Sequence, residues 1–263
     1  MTCKPNSLNE IKPGFQYIDR EEIRITGVKK IVLTGDIGCT GFNEDSREIL
    51  GQVLNQKPDL FIFIGDLAFT GAEDEFREII DFCERRVRVP IFALCGNHDL
   101  PDYDKFLGSS TYAIVLDKFV CVFLCNATGY CVDEEMTFLR KALNKYKTQD
   151  FIIFMHVPPP TDIDRSHLLQ TEWEKIRKEL DQYKNKIKHI FCGHIHGYHD
   201  YYIDGYHVTI TAGGGAAMIN DLKKPEQKIH HTIVLNLDDS GAISTEIITV
   251  RGSASATGSA PAP

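Results

Sequence analysis

The sequence has 263 residues, 43% hydrophobic and 25% charged, with 37 acidic against 29 basic side chains for a net charge of −8. A chain of this composition has the length for one large core or two modest ones, and it is not disordered, collagenous or coiled-coil. The acidic balance disfavours a nonspecific nucleic-acid binder or a basic membrane-surface protein, and no apolar run approaches the ~20 residues that span a bilayer.

Residues 1–28, with Pro5, Pro13 and Gly14 among polar neighbours, read as an irregular or edge-strand lead-in. No apolar h-region is visible at the start, and a cytoplasmic location is the expectation. Then short apolar runs alternate with helical patterns. Residues 29–35 read as a strand, 43–56 as a helix, 59–65 as a strand, 73–86 as a helix and 90–96 as a strand. These runs are β-branched and aromatic and close on Gly, as parallel strands buried on both faces do. Residues 111–125 read as a hairpin, 133–147 as a helix with an acidic first turn, 151–156 as a strand, 166–184 as a helix and 187–194 as a strand. Four strands at hairpin-like spacing end the pattern, between residues 198 and 250. The order, α/β first and mostly antiparallel β last, fits one α/β/β/α four-layer sandwich: two mixed sheets flanked by helices, over residues 29–250. Residues 251–263 are Gly, Ser, Ala, Thr, Pro and Arg, with nothing to form a core, and read as a flexible tail or linker. Of the eight Cys, Cys95, Cys121, Cys125 and Cys192 sit in apolar runs, as reduced, buried thiols of a cytosolic protein do.

Five strand-end segments concentrate Asp, Asn and His: GDIGCTG (35–41), GDLAFTG (65–71), GNHD (96–99), MHVPP (155–159) and GHIHGYH (193–199). The step from Asp36 to Asp66 is 30 residues and from Asp66 to Asn97 it is 31, one βαβ unit each time. That places the three polar residues at the same end of parallel strands, where open α/β sheets carry their sites. Hard oxygen donors mixed with imidazoles suit Mn, Fe, Zn or Ni.

This ordered set resembles the calcineurin-like metallophosphoesterase superfamily, from about residue 30 to 250. The resemblance implies two metal ions. Asp36, Asp66 and His196 would hold metal one; Asp66 would bridge to metal two, which Asn97, His156 and His194 complete. His98 matches the family's catalytic histidine, as acid or phosphate contact. The implied reaction is hydrolysis of a small phosphate ester by a metal-activated hydroxide, a phosphodiester first. A phosphomonoesterase comes next, then a nuclease, then a non-catalytic scaffold. Arg165 and His167, beyond the rigid Pro158–Pro160 run, are candidates to reach the phosphate.

Two positions depart from the family pattern. Gly38 stands where many members have the His of a DxH block, resembling the DxG block of purple acid phosphatases, and Phe69 stands where those enzymes have a Tyr ligand. Metal one thereby loses a side-chain ligand and His98 loses its usual carboxylate partner. Three outcomes stay open: a water-filled position, a substitute ligand with Cys39 or Asp99 nearby, or a degraded site. Cys39 is expected to be a packed thiol.

Overall fold

The apolar runs become strands whose adjacent side chains point into different layers. The structure, a computed structural model, describes residues 6–7, 11–219, 222 and 224–250. In chain order the elements are β1 (Asn6–Ser7), β2 (Gly14–Phe15), β3 (Glu22–Thr26), β4 (Lys30–Thr34), α1 (Glu44–Asn55), β5 (Leu60–Ile64), α2 (Glu73–Arg86) and β6 (Pro90–Leu94). There follow α3 (Tyr103–Leu107), β7 (Tyr112–Val115), β8 (Phe119–Phe123), α4 (Asp133–Lys145), β9 (Asp150–Phe154) and α5 (Gln170–Leu180). Five strands complete the chain: β10 (Ile187–Cys192), β11 (Tyr198–Ile203), β12 (Tyr206–Thr211), β13 (His230–Leu237) and β14 (Ile243–Val250).

They form an eight-stranded sheet, β1-β3-β7-β8-β9-β10-β12-β11, and a six-stranded sheet, β14-β13-β4-β5-β6-β2. β4, β5 and β6 run parallel, as do β8, β9 and β10, while β13 seats antiparallel beside β4. The lead-in supplies β2 at the edge of the smaller sheet and β3 to the larger one; the tail lies outside the described residues.

Three apolar layers separate the four structural ones. Leu33, Ile62 and Leu94 meet Phe123, Ile152 and Phe191 between the sheets. Val32, Phe61 and Ile91, on the other face of the same strands, pack on Ile49 of α1 and Phe76 and Ile79 of α2. Val122, Ile153 and Ile190 pack on Leu139 of α4 and on Trp173 and Ile176 of α5. Strand alternation with both faces buried requires such continuous apolar runs. The four-layer α/β/β/α architecture is the one the sequence predicts.

The helix expected over 166–184 is shorter, Gln170–Leu180 followed by a 3-10 turn. Its first residues instead belong to a loop pinned by the Leu168 N–H on the Pro158 carbonyl (2.9 Å) and by the Ser166 N–H on Asp164 Oδ1 (2.6 Å). Among the described residues seven cysteines are unpaired, and no helix is long and apolar enough to cross a membrane.

Candidate metal centre

The loops after β4, β5 and β6 of one sheet and after β9 and β10 of the other meet at one end of the sandwich. Asp36, Asp66 and His194 each take the left-handed backbone conformation, with φ of 61°, 55° and 72°. Such residues persist only where their surroundings over-determine them. Here the Asp36 N–H donates to the Gly65 carbonyl (3.0 Å), the Asp66 N–H to Asp99 Oδ2 (2.9 Å) and the His194 N–H to both Asp36 carboxylate oxygens (3.0 Å). Gly96 is a close approach: a Cβ there would lie 2.1 Å from Asp66 Oδ1.

Two donor groups result, and they share Asp66. Asp36, Cys39, Asp66 and His196 offer ligand atoms all within 4.8 Å of one another, and Asp66, His156 and His194 do the same. Asn97 joins the second group, its Oδ1 3.2 Å from His156 Nε2. Both outer imidazoles are oriented from behind: His156 Nδ1 donates to the Ile64 carbonyl (2.9 Å) and His196 Nδ1 to the Ala217 carbonyl (2.8 Å), leaving each Nε2 facing the donors. This is how metal-binding histidines are fixed. The Gly-rich segment 212–217 thus closes on the centre from β12, tied also by the Gly214 N–H on the Gly35 carbonyl (3.0 Å).

Asp66 Oδ1 accepts the His98 N–H at 2.9 Å, while Oδ2 is buried with no hydrogen-bond partner. An ionised oxygen buried alone is costly, and a cation is what satisfies it. Burial pushes the Asp36 carboxyl well above its usual range, with Asp66 adding to the rise. Burial also opposes ionisation of Asp66, but His156 at 3.4 Å outweighs it and holds that carboxyl at about 2. His156 is driven by the same pair to about 10, against its own burial. With protein groups alone, a proton held on His156 stands in for positive charge at this spot. Two carboxylates, three imidazoles, an amide and a thiol, with one carboxylate oxygen unpartnered, fit a pair of cations bridged at Asp66.

The structure resolves the two departures from the family pattern. Gly38 lies outside the left-handed region, but a Cβ there would stand 1.7 Å from the Leu67 carbonyl oxygen. The glycine lets the β4 loop dock on the β5 loop, through the Gly38 N–H to the Asp66 carbonyl (2.9 Å). No histidine fits. Phe69 is half exposed and stacks on His98 (centroids 5.9 Å apart, planes at 15°), while its carbonyl accepts from His98 Nδ1 at 2.7 Å. A backbone oxygen therefore replaces the carboxylate partner expected to be missing. Asp99 is no ligand substitute: its two oxygens accept the N–H groups of Asp66, Leu67, Ala68 and Gly96. Cys39 is packed, as expected, but its Sγ lies 3.0 Å from His196 Nε2 among the donors.

Arg165 and His167 line a 640 Å³ cavity formed by residues 161–167. Arg165 is exposed; His167 is half-buried, its Nδ1 donating to the Leu168 carbonyl (2.8 Å). The loop follows the His156 strand end directly, across Pro158–Pro160. Sequence reasoning missed Asn126, buried beyond β8, whose Oδ1 accepts the His156 and Val157 N–H groups (2.9 and 3.0 Å) and whose Nδ2 donates to the Val157 carbonyl (2.7 Å). Its signal was present: a polar residue ending an apolar run, as at the other strand ends.

The Calcineurin-like phosphoesterase family model matches residues 29–198, well over half of the chain. A probable glycerophosphodiester phosphodiesterase from Arcobacter nitrofigilis is 27% identical over 54% of this chain and 58% of its own length. A probable cyclic nucleotide phosphodiesterase from Colwellia psychrerythraea is 30% identical over 52% of this chain and 55% of its own. The chain thus spans a little over half the length of these curated relatives. A purple acid phosphatase from yellow lupin shares the fold, with a TM-score of 0.70 at 16% identity over 85% of this chain and 52% of that one. The ordered strand-end residues, the four-layer sandwich and the family match agree: this chain belongs to the calcineurin-like phosphoesterase family.

Proposed function

We propose that the chain hydrolyses small phosphate esters, diesters ahead of monoesters, at a dinuclear metal centre. The observation that carries this reading is the pair of donor groups sharing Asp66, whose buried Oδ2 is otherwise unpartnered. Asp36, Asp66 and His196 hold metal one; Asp66, Asn97, His156 and His194 hold metal two. When bound, the cations supply Lewis acidity toward the phosphoryl oxygens and lower the pKa of the attacking water. His98, with Nδ1 committed to the Phe69 carbonyl, turns Nε2 outward to contact the phosphate or protonate the leaving oxygen. Arg165 and His167, which line the cavity of the loop after His156, would meet the rest of the ester. The diester preference is supported by the names of the two curated relatives. The net charge of −8 supports a small ester over a nucleic acid. The unpaired buried thiols support a reducing, cytoplasmic setting.

The test is hydrolysis of bis- and mono-nitrophenyl phosphate with added Mn, Fe, Zn or Ni. We expect the diester to be turned over faster and Asp66→Ala to abolish both turnover and bound metal. Full activity in Asp66→Ala sinks the dinuclear reading, because among the described residues no other residue joins both donor groups.

A further inference from the structure

Resting on that dinuclear reading, we infer that Cys39 is a thiolate ligand of metal one, making it a soft, tightly held site beside a harder and more labile metal two. The geometry begins with Gly38. Its lack of a side chain lets the turn after β4 lie against Leu67, and the Gly41 N–H closes that turn on the Gly38 carbonyl at 2.7 Å. Cys39 sits inside this turn, 2% exposed, with Sγ 3.0 Å from His196 Nε2 and within 4.8 Å of the Asp36 and Asp66 oxygens.

His196 already spends Nδ1–H on the Ala217 carbonyl, so the nitrogen facing Sγ carries a lone pair. Two donors on one tetrahedral zinc, with bonds of about 2.0 Å to nitrogen and 2.3 Å to sulfur, stand about 3.5 Å apart. The observed pair needs only a small adjustment to share an ion. Binding replaces the S–H bond with a metal–sulfur bond, and the thiol proton leaves to solvent with the displaced water. Cys39 so supplies metal one with a side-chain ligand that neither Gly38 nor Phe69 can offer.

The charges then divide unequally. Metal one receives Asp36, Cys39 and a share of Asp66; metal two receives only its share of Asp66 beside neutral Asn97, His156 and His194. Sulfur selects Zn, Fe or Co over Mn and Mg at metal one. Metal two, with less ligand charge, keeps the stronger pull on phosphate and leaves first under chelation.

Cobalt(II) titration of the metal-stripped full chain tests this. The first equivalent is expected to raise a sulfur-to-cobalt charge-transfer band in the near ultraviolet. Cys39→Ser and Cys39→Ala are expected to lose the band and to bind metal one at least tenfold more weakly. Their retained visible d–d spectrum at metal two shows that each variant is folded. Two cobalt ions bound without the band overturn the thiolate while leaving the dinuclear reading intact. A band that survives in both variants also overturns it, by placing the sulfur elsewhere. No cobalt bound at all defeats both.

Discussion

His98 is the residue with the most specific proposed role and the least conspicuous support. Its imidazole is oriented by the carbonyl of Phe69 and faced by that residue's ring, while its N–H holds Asp66. We expect His98→Ala to cut kcat by about 10²–10⁴-fold with metal content unchanged, and the loss to shrink for leaving groups that need no proton. A parallel fall in metal occupancy would make His98 a ligand instead. Asp99 is the complementary case, a buried carboxylate two residues from Asn97 that gathers four backbone N–H groups. In Asp99→Asn the amide NH₂ replaces one acceptor oxygen and faces donors. Each buried N–H left unpaired costs about 1–3 kcal/mol. The expected result is a lower thermal midpoint and weaker binding of both metals, read by melting and metal analysis.

At the scale of elements, β13 carries a pH dependence of its own. His231 is buried, its Nδ1 donating to the Ile229 carbonyl (2.9 Å), and burial pushes its pKa down to about 4. The unfolded chain takes up this proton below about pH 6.5, the folded chain only below about 4. Stability from His231 is therefore whole above pH 6.5 and lost progressively as pH falls toward 4, by about 3 kcal/mol. His189 on β10, pushed by burial to about 3, acts in the same direction. Denaturant titration of metal-stripped wild type and His231→Gln across this range is expected to show a shallower decline in the variant. Equal slopes would mean that His231 titrates normally in the folded state. Nothing in residue type marks His231, on a strand that reads as partly surface, for burial; that depends on Tyr198 and the Gly213 backbone closing around it.

For the whole molecule, the centre is a stitch between sheets: Asp36, Asp66 and Asn97 come from one, His156, His194 and His196 from the other. An ion bound at about a hundred times its Kd adds about 3 kcal/mol to stability. Chelation is accordingly expected to lower the thermal midpoint by about 5–10 °C while unfolding stays a single transition. Two separate transitions would show that the sheets melt independently. The layers and the strand-end residues were legible in the sequence because both follow from local pattern: continuous apolar runs, and Gly beside Asp or His at regular spacing. What stayed illegible depends on backbone atoms that approach from afar. The Phe69 carbonyl, the Leu67 carbonyl that excludes any side chain at position 38, and the Ala217 carbonyl behind His196 have no signature in residue type. Cys39 read as packing for the same reason: only the turn it occupies reveals what its sulfur faces.

The seating of β13 beside β4 has a consequence for the order in which the protein is made. Val32 and Leu33 pair with Val234 and Ile233, some two hundred residues later in the chain. Until that partner leaves the ribosome, an apolar strand stands with one row of N–H and C=O groups open, although β5 has already covered the other side. Contacts of such separation form late, and open apolar edges recruit other chains. A chain stalled before residue 230 therefore exposes an adhesive edge although the last proposed ligand, His196, is already made, and the emergence of β13, rather than synthesis of that ligand, is the moment at which the edge closes.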